Sequence, residues 1–306
     1  MIAPVPTSGL VLLYHRIADL QPDVFGLCIR PDAFRKHMEH LAHAFRPMPL
    51  DELVAASLED AIPDRAVAVT LDDGDLDALI ASEILAEFDI PATFYLNTDR
   101  LGTPHENWYD VLERILISEE PVPDRFKGLG LDLPCDTPEA RRAAFTALFD
   151  KGYALTAAER QNIVAAVGQW SRLNLAPRET HRLLTEPEVR ILAARPAKDI
   201  GAHTVNHLFL PAHSEGTQAE EIALNKRALE ALLDRPITTL AYPHGGFTAQ
   251  TIDICRSLGF RSALTVVSAP LVAGADPLRV PRVEVKTSDL PAFEALLERR
   301  LSGDLS

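Results

Sequence analysis

The sequence predicts an α/β fold, an incomplete (β/α)7 barrel of TIM-like form with a helical insertion. Three observations carry that expectation. Short apolar, β-branched runs alternate with helical patterns over most of the 306 residues, as they do in βα units. Polar residues follow four of these runs at once, namely His15, Asp72-Asp73, His203 and His244, at the strand end where parallel barrels assemble their sites. Between about residues 101 and 184 the alternation stops, and helix-like segments are separated by Pro121, Pro123, Pro134 and Pro177 with no convincing strand.

The elements follow in order. Residues 9–14 read as the first strand. A helix over 31–45 opens on Pro31 and lines up Phe34, Met38, Leu41 and Phe45 on one face. A buried strand over 66–71, a helix over 82–88 ended by Pro91, and a strand over 92–96 make a complete βαβ unit. After the insertion come a helix over 186–194, a strand over 199–202, a helix over 219–233, a strand over 238–242 and a helix over 249–258. Strands near 262–266 and 278–285 bring the count to about seven, and a helix over 290–301 closes the chain. The whole of 1–306 is read as one domain. Barrels routinely exceed ordinary domain size.

Composition narrows the function. Hydrophobic residues at 47% and charged residues at 24% support a sizeable core and exclude a disordered chain. A formal charge of -14 offers no footprint for phosphate backbones, so no nucleic-acid partner is expected, and anionic membranes are disfavoured likewise. The first eight residues lack a basic stretch and the apolar run 10–14 is too short for a membrane span, which points to a cytoplasmic protein. Cys28, Cys135 and Cys255 have no metal or disulfide spacing and receive no role.

Within Thr70-Leu71-Asp72-Asp73-Gly74, two adjacent carboxylates leave an apolar strand for a glycine turn. Their repulsion and desolvation are costly unless a cation or a base role compensates. In Gly201-Ala202-His203-Thr204-Val205-Asn206-His207, two imidazoles four residues apart can reach one ion if the segment turns helically after the strand. With one aspartate they form a two-histidine, one-carboxylate set. His37, His40 and His43 are spaced by three on the helix from Pro31 and read as a partly exposed structural stripe.

Those two motifs, with Ala241-Tyr242-Pro243-His244-Gly245, resemble the polysaccharide deacetylases of the NodB-homology type, carbohydrate esterase family 4. Leu13-Tyr14-His15-Arg16 and Val280-Pro281-Arg282 extend the resemblance to most of the chain outside the insertion. It implies a distorted barrel and a divalent metal, usually Zn²⁺, with Co²⁺, Ni²⁺ or Mn²⁺ as substitutes. Asp73, His203 and His207 are then the ligands, and Asp72 is the general base that takes a proton from water attacking an amide carbonyl. A backbone N–H near Tyr242 would help bind the oxyanion, and Tyr242, Pro243 and His244 would border the substrate. In many family members a histidine near the C-terminus supplies the acid that protonates the departing amine, but no histidine follows His244 in this chain; the acid is here assigned to His15, with His244 as the alternative.

The sequence departs from the family's pattern at Leu71 and at Asp75, which adds negative charge near the site, and its third motif lacks an arginine. Arg282 is proposed as the substitute that orients Asp72. Asp77, Asn97 and Trp108 are explained equally well by a helix start, a turn and insertion packing. The expected activity is removal of an N-acetyl group from an amino sugar, oligosaccharide or glycan precursor, with the insertion as wall or lid over the site. The alternatives are hydrolysis of small formamide or ureido amides, a non-catalytic saccharide-binding barrel, and a non-haem iron site.

Overall fold

The apolar runs become strands of one curled sheet in a computed structural model that describes residues 8–304. Residues 1–7, most of the stretch read above as lacking basic side chains, lie outside the described residues. The first half of the chain runs β1 (Ser8–Tyr14), α1 (Pro31–Ala44), β2 (Arg46–Pro47), α2 (Leu50–Leu58), β3 (Ala66–Leu71), α3 (Ala78–Glu87), β4 (Ala92–Leu96) and α4 (Trp108–Leu116). A hairpin of β5 (Arg125–Gly128) and β6 (Leu131–Pro134) follows, then α5 (Pro138–Tyr153), α6 (Ala157–Ser171) and α7 (Glu186–Ala194). The chain ends with β7 (Lys198–Ala202), α8 (Glu215–Leu233), β8 (Thr239–Ala241), α9 (Ala249–Ser257), β9 (Ser262–Leu264), β10 (Leu271–Val272), β11 (Val283–Glu284) and α10 (Leu290–Leu301).

Strands β1, β3, β4, β7, β8 and β9 lie side by side in parallel. β11 runs parallel to the other edge of β1. Among the described residues, the seam between β9 and β11 is spanned by an isolated bridge from Leu264 to Val280. Seven parallel strands therefore curl into a barrel that does not fully close, the expected incomplete (β/α)7 form. The short β2 adds to β3 in parallel, and β10 pairs with β1 antiparallel.

Such strands are covered on both faces, which is why they read as continuous apolar runs. Alternation along β1 sorts the two faces: Leu10, Leu12 and Tyr14 pack outward with Phe34, Leu85 and Phe293 of the helical layer, whereas Val11 joins Ala68, Tyr95, Ala241 and Leu264 in the interior. Leu50, Leu53 and Val54 of α2, a helix not anticipated from the sequence, complete that interior cluster.

Gly201 is required where β7 passes β4. A Cβ there would fall inside the Tyr95 ring, which is held by its hydroxyl against Thr239 Oγ1 at 2.8 Å. Gly201→Ala is therefore expected to cost about 1–3 kcal/mol through overpacking. Chemical denaturation measures this directly, and an unchanged midpoint would mean that Tyr95 has room to move.

Four expectations change. The segment 101–184 is not purely helical, because β5 and β6 form an antiparallel hairpin. Its turn uses Leu129 and Gly130, both at positive φ (56° and 74°), and leucine gives no turn signal of the Asn-Gly kind. The strand expected over 278–285 shrinks to β11, since Pro277 opens a short 3-10 turn and Pro281 has no N–H for a ladder. His37 is fully buried, stacked on Phe293 at 4.0 Å between centroids. The fourth change concerns the backbone after β7. Among the described residues, no helix is long and apolar enough to cross a membrane.

Candidate active site

β3 ends in a tight turn that turns both aspartates of the Asp-Asp-Gly motif into the barrel mouth. Asp73 and Gly74 both take left-handed backbone, with φ 75° and 77°. Aspartate tolerates that region better than most residues. Glycine suits Gly74 because its φ of 77° strains any side chain, and a Cβ there would also press on Leu96 Cδ2 of β4.

The histidine pair follows β7, but the segment is not the helical turn expected from its spacing. Thr204 and His207 adopt positive φ (62° and 49°), and these kinks bring the rings to a centroid separation of 4.8 Å. His203 is anchored by its N–H to Leu96 O and Asn225 Oδ1. Its Nδ1 lies 2.8 Å from Ala241 O. A carbonyl can only accept, so Nδ1 carries a proton and Nε2 is the nitrogen that faces the site.

That Nε2 lies 3.4 Å from Asp73 Oδ1, and His207 Nε2 lies 3.3 Å from the same oxygen. Asp73 Oδ1 is buried without a hydrogen-bond donor among the described residues. One candidate ligand atom from each residue falls within 4.8 Å of the others. An orphaned carboxylate oxygen between two imidazole nitrogens fits a divalent cation, and the N/O donor set suits Zn²⁺ and its first-row neighbours. Burial opposes ionisation of Asp73, but His207 and His203 outweigh it and hold the carboxyl well below the usual range. Burial pushes the His207 imidazole down despite Asp73, keeping it neutral as a ligand must be.

Asp72 lies beside this cluster, its Oδ2 3.8 Å from His203 Nε2. The structure sets Arg282 against it: Nη1 donates to Oδ1 at 2.7 Å and Nη2 to Oδ2 at 2.8 Å. Arg282 is fully buried, donates from Nε to Thr265 O, and lies over the Tyr95 ring. The pair is thus an internal fork rather than a surface ion pair. Burial opposes ionisation of Asp72, but Arg282 and His203 prevail and hold its carboxyl below the usual value.

His15 and His244 both line the same cavity. His15 Nδ1 faces Glu284 Oε1 at 3.9 Å. His244, with φ 55°, packs its ring against His207 and Tyr153, and burial pushes its pKa down to about 3. Tyr242 and Pro243 are buried and line no part of the cavity. Tyr242 turns into the core because its hydroxyl is satisfied by Leu278 O at 3.0 Å and its ring stacks on Phe247. Its N–H donates to Leu264 O, which removes that N–H as an oxyanion donor. Asp75 does not add free charge: Arg16 bonds it at 3.0 Å and Asp110 at 2.7 Å, with all three buried. The buried Asn97 side chain finds no hydrogen-bond partner among the described residues, and Asp77 accepts from Ile17 N–H instead of capping α3.

The cavity measures about 160 Å³. Its walls come from segments that carry no motif: Phe25 and Leu27 after β1, Tyr109 of α4, Phe149 of α5, and Lys286 after β11. Phe25 touches Tyr109 and Phe149 at ring distances of 5.9 and 4.9 Å. The insertion therefore forms one wall, as expected. A larger cavity of about 490 Å³, bordered by Arg100, Trp108, Arg114 and Gln161, contains none of the candidate catalytic groups. Chemistry, not size, identifies the site.

Residues 145–263 match the polysaccharide deacetylase family model. That segment holds His203, His207 and His244 and leaves out Asp72 and Asp73. Among curated proteins, none matches the sequence. Among solved structures, IcaB from Ammonifex degensii is similar at 19% identity and TM-score 0.64, covering 95% of this chain and 97% of that one. The Streptococcus pyogenes deacetylase PplD, solved with acetate, is similar at 18% identity and TM-score 0.60, covering 92% and 93%. A polysaccharide deacetylase from Bacillus cereus is similar at 16% identity and TM-score 0.60, covering 95% of this chain and 69% of that one. The chain thus shares the barrel of these proteins over nine-tenths of its length and resembles the deacetylase family in sequence over residues 145–263.

Proposed function

We propose that the chain is a metal-dependent hydrolase that removes an acyl group, acetyl foremost, from the nitrogen of a sugar. The observation that carries this reading is the orphaned Asp73 oxygen between His203 and His207, beside a second carboxylate that Arg282 keeps ionised. Asp73, His203 and His207 would hold the ion. A divalent cation supplies Lewis-acid chemistry, acidifying water and polarising an amide carbonyl.

The chain's own residues account for the proton movements. Asp72 takes the proton of the attacking water on a carboxylate oxygen, and the Arg282 fork fixes the direction in which that oxygen points. As the carbonyl carbon gains an oxygen, its bond to nitrogen breaks and the amine needs a proton. His15 is proposed to deliver it, because its ring borders the cavity and is not wedged between aromatic neighbours as His244 is. Phe25, Tyr109 and Phe149 offer apolar ring faces against which the substrate lies as water is excluded.

The small cavity supports a second reading, hydrolysis of a small non-sugar amide of formamide or ureido type. Amine release from N-acetylated sugars, from the monosaccharide through chito-oligosaccharides, is to be compared with release from formamides and ureido compounds at equal concentration. Turnover of the acetylated sugars above the small amides is the expected result. The reverse order would move the assignment to small amides, and binding without turnover of either class would favour a saccharide-binding barrel.

A further inference from the structure

Arg160, in α6 of the insertion, is almost entirely buried, yet no carboxylate is among its bonded partners. Among the described residues, its guanidinium donates only to main-chain carbonyls. Nε reaches Gly152 O at 3.0 Å and Nη2 reaches Tyr153 O at 2.9 Å, both at the end of α5. Nη1 reaches His207 O at 3.0 Å and Asn206 O at 3.3 Å. The group also lies over the Trp108 ring at 5.2 Å. One cation thus bonds carbonyls at a helix C-terminus, where Gly152 O also accepts from Leu155 N–H, and those of the loop that carries a candidate metal ligand.

The loop needs such a hold. His207 has left-handed backbone, φ 49°, a conformation that persists in a non-glycine residue only when its surroundings over-determine it. From the opposite side, Glu221 of α8 accepts from Asn206 N–H at 2.8 Å and from its side-chain amide at 2.7 Å. The loop is therefore held by a carboxylate on its N–H side and by a guanidinium on its carbonyl side. A buried arginine with no directly bonded carboxylate, Glu221 and Asp99 acting on it only from a distance, is costly to keep unless its bonds serve the structure or the site.

We infer that Arg160 is a positioning residue: the insertion, besides walling the cavity, holds the His207 backbone through this guanidinium so that its imidazole stays aimed at the Asp73 cluster. The inference rests on the reading of His207 as a metal ligand. Carbonyl-directed donors of this kind act through the ligand's backbone as outer-shell partners act through its ring, and losing one lowers metal affinity by about 10- to 100-fold.

The test compares wild type with Arg160→Ala, Arg160→Lys and Thr156→Ala. The last removes the side-chain cap of α6 and leaves the guanidinium in place. Two quantities are read: Zn²⁺ affinity by competition with a chromophoric chelator, and hydrogen exchange of amides 204–208 in the metal-free protein. Arg160→Ala is expected to weaken Zn²⁺ by about 10- to 100-fold and to speed exchange in that loop. Arg160→Lys, with one ammonium for four carbonyls, is expected to fall between it and wild type. Thr156→Ala is expected to leave both readouts near wild type. Wild-type affinity and exchange in a folded Arg160→Ala would overturn the inference, as would equal loosening of the loop by Thr156→Ala. Should Arg160→Ala fail to fold, Arg160→Lys decides by the same criterion. A wild-type protein that binds no Zn²⁺ would defeat the metal reading itself, and the exchange measurement on metal-free protein would still judge the clamp.

Discussion

Arg282→Lys is expected to lower kcat/KM by about 10²- to 10⁴-fold, the range that a misplaced general base loses, while leaving a folded protein. Lysine keeps the charge but cannot span both oxygens of Asp72, which the native fork meets at 2.7 and 2.8 Å. Arg282→Ala goes further. It strands the Asp72 carboxylate in a buried setting and removes the bond to Thr265 O, and breaking a buried pair by removing one partner costs about 3–5 kcal/mol. The two variants separate orientation from stability: the lysine variant loses activity at nearly full stability, and the alanine variant loses both. A lysine variant with wild-type kcat/KM would show that the fork serves the fold alone.

Asp72→Asn carries the second large effect. An amide cannot take a proton from water, so turnover is expected to fall by at least about 10²- to 10⁴-fold. The Asp73, His203 and His207 cluster is untouched, so metal content is expected to match wild type. Its counterpart, Asp73→Asn, removes the negative charge from the group whose oxygen lies 3.3–3.4 Å from both imidazoles, leaving a neutral amide as a far weaker ligand, and is expected to lose the metal. Metal analysis beside activity reads both variants. Loss of metal in Asp72→Asn would mean that the two aspartates have been assigned the wrong way round, and retained activity would mean that Asp72 is not the base. Because Asp72→Asn leaves Arg282 without its counter-charge, melting curves belong to the same experiment.

The strand ends were legible because a parallel barrel buries its strands on both faces. A polar residue directly after such a run is therefore conspicuous: His15, Asp72 and His203 stand in that position, with Asp73 one residue and His244 two residues further along. Arg282 could be named because the motif lacks an arginine, although nothing local foretold its complete burial or its fork on a residue 210 positions away. The left-handed backbone at Thr204 and His207 was not legible. Spacing by four suggests a helical turn, and the actual path depends on Glu221 and Arg160, which grip it from two distant helices.

Tyr242 shows the opposite limit. Its neighbours in sequence belong to a motif, but a phenol that can reach a buried carbonyl turns to the core. The walls of the cavity were silent for a third reason. Phe25, Tyr109 and Phe149 are ordinary apolar residues in their own segments and acquire their role only where those segments meet. The β5–β6 hairpin escaped notice because its strands are short and half exposed, with a turn of unusual composition.

The most direct test of the central assignment is the metal content of the purified chain, followed on the same sample by amine release from an acetylated chito-oligosaccharide with chelator, without it, and after Zn²⁺ is restored. One ion per chain, with release abolished by chelator and recovered on restoration, is the predicted result. No ion after reconstitution, or amine release indifferent to chelator, would contradict the account at its root.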